Sequence, residues 1–169
     1  ELVDAHEGFA VITDRIKTLN KVRLLWIIAI LTFFFSAVLD NLTTSIVMVS
    51  LLRKLIDDKE TRWMFAGVVV IAANAGGAWS PIGDITTTML WIGNQLTADV
   101  IVTNLIVPCI ACVLGPLGIL SFTMKGEINR PETSVHQVDP TTAGERNLVF
   151  FMGVAGLLFV PIFKTVTHL

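Results

Sequence analysis

Asp40-Asn41-Leu42-Thr43-Thr44-Ser45 and Ser80-Pro81-Ile82-Gly83-Asp84-Ile85-Thr86-Thr87-Thr88 are the two stretches on which the reading of this chain turns. Each interrupts a long apolar run, 24–52 for the first and 63–93 for the second, and Asp40 and Asp84 are the only charged residues in those runs. Ionisable groups at membrane depth are costly, so they mark a transport or catalytic site by default. A carboxylate followed by threonines thus occurs twice, both times where a helix should fail.

Working outward, 53% of the 169 residues are hydrophobic and only 15% are charged, with a mean hydropathy of +0.73. Together with apolar runs long enough to cross a bilayer, this predicts an all-α, polytopic membrane protein. The net charge of -2 and the absence of a basic patch argue against a nucleic-acid partner. Cys109 and Cys112 form a CxxC inside an apolar segment after Pro108, with no βαβ pattern nearby, and read as helix packing. His6, His136 and His168 have no metal-ligand spacing, and no cofactor is expected beyond the transported ions. The chain opens at Glu1 with no signal-peptide pattern and stops just past an apolar run, so it reads as a piece of a longer protein.

Four segments are expected: an interfacial, cytoplasmic stretch at 1–23, a transport core at 24–122, a cytoplasmic linker at 123–146 containing Pro131 and Pro140, and the incomplete first helix of a following block at 147–169. The core divides into a hairpin (24–55), a broken helix (63–93) and an ordinary transmembrane helix (100–122), which Pro108 and Gly115-Pro116-Leu117-Gly118 either kink or end. The hairpin rests on charge. Arg15, Lys17, Lys21 and Arg23 precede the first run and Arg53, Lys54, Lys59 and Arg62 follow it, so both ends should face the cytoplasm, with residues 40–45 at a re-entrant tip. The 94–99 loop has no Lys or Arg, so the second run must cross, with a break over 74–84 where Gly76, Gly77, Pro81 and Gly83 weaken the helix.

Non-helical backbone at membrane depth needs protein or a watery cavity to satisfy it, and two breaks facing each other would make such a cavity. A metal cation entering it would exchange water for carboxylate, hydroxyl and carbonyl oxygens. The tip offers Asp40, Asn41, Thr43, Thr44 and Ser45, and the break offers Ser80, Asp84, Thr86, Thr87 and Thr88. Broken half-helices around a midplane ion site are a transporter architecture. In low dielectric a carboxylate can hold a proton or a cation but rarely both, which is the basis of exchange. Against this stands a purely structural role for each aspartate as a helix cap, and for the hydroxyls as bonds back to their own helices. Trp26, Trp63 and Trp91 lie near the expected membrane boundaries, whereas Trp79 lies deep and is a candidate wall of the site.

Residues 34–51 and 72–93 closely resemble the NhaD-type sodium/proton antiporters of the ion-transporter superfamily, and Val3-Asp4-Ala5-His6-Glu7-Gly8-Phe9 is similar to theirs as well. The likeness runs to about Phe122 and weakens beyond the linker. It implies an inverted-repeat, elevator-type fold, a homodimer, and a chain that is the first-repeat core and needs the second repeat of the same protein to transport. It also implies Na⁺, or Li⁺, exchanged for H⁺, with Na⁺ at Asp40 and Asp84 and further contacts from Asn41, Thr43, Thr44, Ser80, Thr86 and Thr87. The expected setting is the lipid bilayer of a bacterial inner membrane or an organelle envelope. An alternative in the same superfamily is sodium-coupled transport of a dicarboxylate or an arsenite-type anion, which the lack of basic residues at the breaks disfavours. From another class, an intramembrane aspartyl protease also uses two aspartates, but Pro81 stands where the first glycine of its Gly-x-Gly-Asp belongs and Leu39 where tyrosine precedes the other.

Overall fold

The computed structural model describes residues 18–129 together with Gly144, Leu148, Phe151, Met152, Ala155 and Phe159. The 3–9 run, the linker from 130 to 143, and most of the expected helix at 147–169 lie outside the described residues. The chain divides into two compact units, Thr18–Asn129 and the remainder. In the second unit the six described positions are helical and exposed.

The named elements of Thr18–Asn129 are all helices: α1 Lys21–Leu39, α2 Asn41–Leu55, α3 Lys59–Ala78, α4 Ile85–Ile92 and α5 Ala98–Thr123. Side chains start four of the five. Asn20 accepts from the Arg23 N–H at 3.1 Å to open α1, and Asp58 accepts from the Thr61 N–H at 2.8 Å to open α3. The Thr61 hydroxyl and N–H on the Asp58 carboxylate hold its pKa below the usual carboxylate range. Because the folded value is depressed, that cap persists at neutral pH and is lost only in acid. Asp40 and Asp84 open α2 and α4.

α1 and α5 are the two described helices long and apolar enough to cross a membrane. α5 runs unbroken through Pro108 and Pro116 to Thr123 and buries only Ile101, Cys109, Val113 and Leu117 along its length. Cys109 is buried, Cys112 exposed, and both are free thiols. The Trp26 indole donates to the Ser121 hydroxyl at 2.9 Å, tying α1 to α5.

The outer ends of α1 and α2 meet on one strip of chain that follows α5. The Ile128 N–H donates to the Leu19 carbonyl at 2.8 Å, the Lys21 N–H to Gly126 at 3.3 Å, and the Asp57 N–H to the Asn129 carbonyl at 3.0 Å. Gly126 makes the turn at φ 99°, a backbone that L side chains rarely adopt. α1 and α2 therefore run out and back, with only Asp40 between them. This gathers every Lys and Arg of residues 18–129, namely Lys21, Arg23, Arg53, Lys54, Lys59, Arg62 and Lys125, at the end of the unit away from the Asn94–Thr97 side. Met124 and Ile128 are buried, so residues 124–129, read above as linker, pack onto the unit.

Two boundaries differ from the sequence reading. Residues 41–45 form the first turn of α2 and are not an irregular tip, because Asp40 caps the helix and compresses the interruption to one residue. Likewise α3 continues to Ala78 through Gly76 and Gly77, leaving only 79–84 outside helices. Packing outweighs the low helical propensity of glycine there. Small residues Ala72, Ala73, Gly76 and Gly77, paired at helical spacing, let α3 approach the α1 backbone, and the Ser36 hydroxyl donates to the Ala73 carbonyl. Such close approach is the usual source of helix association in lipid, where apolar burial gives no drive.

Candidate functional site

At Asp40 the chain leaves α1 with φ 93° and ψ 156°, a conformation unfavourable for a residue with a Cβ. Its carboxylate compensates locally: one oxygen accepts from the Thr43 N–H and the other from the Thr43 hydroxyl, each at 2.7 Å. Asp40 is thus a strained helix cap with both oxygens committed to Thr43. Replacing it separates strain from capping. Asp40→Ala keeps the strain and loses the cap, whereas Asp40→Gly loses the cap and relieves the strain. Thermal unfolding of the detergent-solubilised parent protein should rank glycine above alanine by about 1–2 kcal/mol; an equal loss would mean that the backbone carries no strain.

Asp84 is placed differently. One carboxylate oxygen accepts from the Thr86 N–H at 2.8 Å and caps α4, while the other accepts from the Asn41 side-chain amide at 2.8 Å. The same Asn41 nitrogen donates to the Asn74 side-chain oxygen at 3.1 Å, and Asn74 in turn donates to the Val70 carbonyl at 2.8 Å. Asn41 at the start of α2 therefore bridges α3 and the start of α4. The fold brings Asn41 and Asp84 together, while Asp40 and Asp84 have no hydrogen-bond partner in common.

The remaining expected residues fall into three groups. Thr43 serves Asp40, and Ser80 serves the turn, its hydroxyl accepting from the Ile82 N–H at 3.3 Å. Ser45 and Thr88 donate back to the Asn41 and Asp84 carbonyls at 2.7 and 2.8 Å. Thr44 and Thr87 are buried, the Thr44 hydroxyl having no partner among the described residues, and Thr86 is exposed. Around them Gly77, Gly83 and half-buried Pro81 shape the break. A Cβ on Gly83 would stand 2.6 Å from the Ser36 carbonyl oxygen and 2.8 Å from the Gly77 Cα. Trp79 stacks on Phe33 with ring centroids 6.0 Å apart, fastening the break to α1. Asn74 was not among the expected site residues. Its signal was a carboxamide within the apolar run 63–93.

Chemically, two helix N-termini are brought together, each already neutralised by its own carboxylate. Asp84 keeps unused lone pairs on the side facing Asn41. The arrangement offers oxygen ligands, and among the described residues no Lys or Arg lies within 40–45 or 79–88.

Two described helices long and apolar enough to cross a membrane, with carboxylate-capped helix starts at the breaks, fit an integral membrane protein. The chain belongs to the citrate transporter family, whose model matches residues 2–169. It is 48% identical over its whole length to sodium/proton antiporter 1 of Arabidopsis thaliana, covering 29% of that protein, and 48% identical to sodium/proton antiporter 2 of the same plant, covering 41%. Over 76% of the chain it is 36% identical to the Na(+)/H(+) antiporter NhaD of Alkalimonas amylolytica, covering 26% of it. The chain thus spans less than half the length of these relatives. The plant likeness extends through the region beyond Phe122, where the sequence reading had it weaken. No solved structure gives a significant match.

Proposed function

We propose that this chain is the first-repeat core of a secondary transporter exchanging Na⁺, or Li⁺, for H⁺, with the cation and the proton competing at a site centred on Asp84. The observation that carries the reading is the 2.8 Å, part-buried contact between the Asn41 amide and the Asp84 carboxylate, joining two helix starts. Asn41, Thr44 and Thr87 stand on the ligand side of this reading. Asp40, Thr43, Ser80, Thr86 and the glycines shape it. In this division Asp40 positions α2 and Asp84 exchanges ions.

The names of the relatives support a sodium/proton antiporter over an enzyme. An anion carrier is less favoured because both helix N-termini, the natural anion sites, are capped by carboxylates. The collection of basic residues at one end supports α1 and α2 as a re-entrant hairpin entering from the cytoplasmic side, and α3 with α4 as a broken spanning helix. An elevator-type homodimer with the second repeat completes the proposal. Of the two membranes expected, an organelle envelope suits the plant relatives better than a bacterial inner membrane.

The test is sodium-induced dissipation of a pH gradient in everted vesicles carrying the full-length parent, wild type beside Asp84→Asn, from neutral to alkaline pH. The wild type should respond and a well-inserted Asp84→Asn should not. A normal response in the variant removes Asp84 from the site, and an anion-dependent response in place of a sodium one transfers the assignment to anion transport.

A further inference from the structure

Between the last turns of α2 and the first turns of α3 lies a cavity of about 430 Å³, lined by Val49, Arg53, Arg62, Trp63 and Ala66. Its volume is in the range of small-molecule sites. The lining is graded. Arg53 and Arg62 stand toward the basic end of the unit, whereas Val49 and Ala66 lie one helical turn deeper on the same faces. Arg62 is held in place by a bond from Nη1 to the Ile56 carbonyl at 3.2 Å, leaving its other donors for a ligand. Among the described residues neither guanidinium forms a salt bridge. Trp63, 71% exposed, borders the cavity, and the Lys59 ammonium lies 5.7 Å from its ring centroid. Tryptophan beside arginine is the composition of a membrane-water boundary.

We propose that this groove binds an anionic phospholipid, Arg53 and Arg62 holding the phosphate while an acyl chain lies along Val49 and Ala66. Guanidinium forks match phosphate oxygens geometrically, and paired basic residues between helices at a cytoplasmic surface recognise such headgroups. The apolar depth beyond the arginines selects a lipid over a free phosphate, which would leave Val49 and Ala66 uncovered. The assignment depends on the membrane setting and not on sodium exchange.

The experiment titrates short-chain phosphatidylglycerol into the detergent-purified full-length parent and follows the thermal unfolding midpoint, with phosphatidylcholine and inorganic phosphate in parallel. Phosphatidylglycerol alone should raise the midpoint. At about fivefold per basic residue, Arg53→Gln/Arg62→Gln should require about twenty-five-fold more lipid for the same rise. Arg53→Gln alone, which leaves the Arg62 anchor intact, should require about fivefold more and serves if the double variant fails to fold. Lys125→Gln, at the same end but outside the groove, should respond as the wild type. An equal rise with inorganic phosphate, a wild-type response in the arginine variants, or a matching loss in Lys125→Gln would each overturn the site.

Discussion

Gly76→Ala is expected to abolish accumulation of the folded parent protein, while Gly67→Ala in the same helix leaves it unchanged or slightly raised. A Cβ at Gly76 would overlap the Phe33 carbonyl oxygen and stand 2.8 Å from both the carbonyl carbon and the Cα of Phe33. Those atoms are backbone of α1, so no rotamer change relieves the clash, and α1 must move away from α3. That movement would break the Ser36–Ala73 hydrogen bond, unstack Trp79 from Phe33 and loosen the seat of Gly77 and Gly83. Overpacking of a rigid contact costs about 1–3 kcal/mol or more, and here several contacts fail together. At Gly67 a Cβ meets nothing within 4 Å, so alanine gains helical propensity without a clash. Fluorescence-detected size-exclusion profiles of the two variants, compared with wild type, decide the matter. Equal losses at both positions would show general intolerance of helix substitutions, and equal tolerance would show that α1 and α3 yield.

Asn41→Ala is expected to raise the sodium concentration for half-maximal exchange about tenfold or more, with the protein still inserted. Asn41 holds the Asp84 carboxylate and the Asn74 amide in one arrangement, and its removal frees both acceptors and unties α2 from α4. Groups that orient a cation ligand are worth about 10–100-fold in affinity when lost. The maximal rate should fall less than the apparent affinity, because Asp84 itself remains. A measurement of the sodium dependence of gradient dissipation in vesicles reads both quantities. An unchanged half-maximal concentration would reduce the Asn41–Asp84 contact to packing, and complete loss with poor insertion would identify it as a folding contact. Asn41→Gln, which keeps the amide on a longer arm, should recover only part of the affinity.

Much of this was legible in the sequence because it is local. An aspartate followed within a few residues by threonine, set between apolar runs, marks a helix start, and both Asp40 and Asp84 are helix starts bonded to Thr43 and Thr86. Basic residues flank the first run at both ends, and in the structure those ends share partners in residues 126–129. The width of the breaks was overestimated. Propensity treats Gly76 and Gly77 as helix weakeners, but their lack of a side chain is used for contact with α1, and only the partner helix reveals that. The pairing of Asn41 with Asp84 and Asn74 was likewise hidden, since it joins positions far apart in sequence whose register depends on how three helices meet. Equal standing for the two aspartates was the natural reading of a repeated pattern. Geometry divides them, Asp40 bonding only within its own turn and Asp84 reaching across to another helix.

The strip that clasps α1 and α2 also orders events during synthesis. Residues 126–129 leave the ribosome only after the whole of α5, yet they supply the partners for Leu19, Lys21 and Asp57. Until then the out-and-back pair has nothing to fasten its feet, and the nascent chain must hold it unlatched while three later helices are threaded. A ribosome stalled between α4 and α5 would therefore display the same helices with loose ends, and protease access near Asp57 would close only once Asn129 emerged.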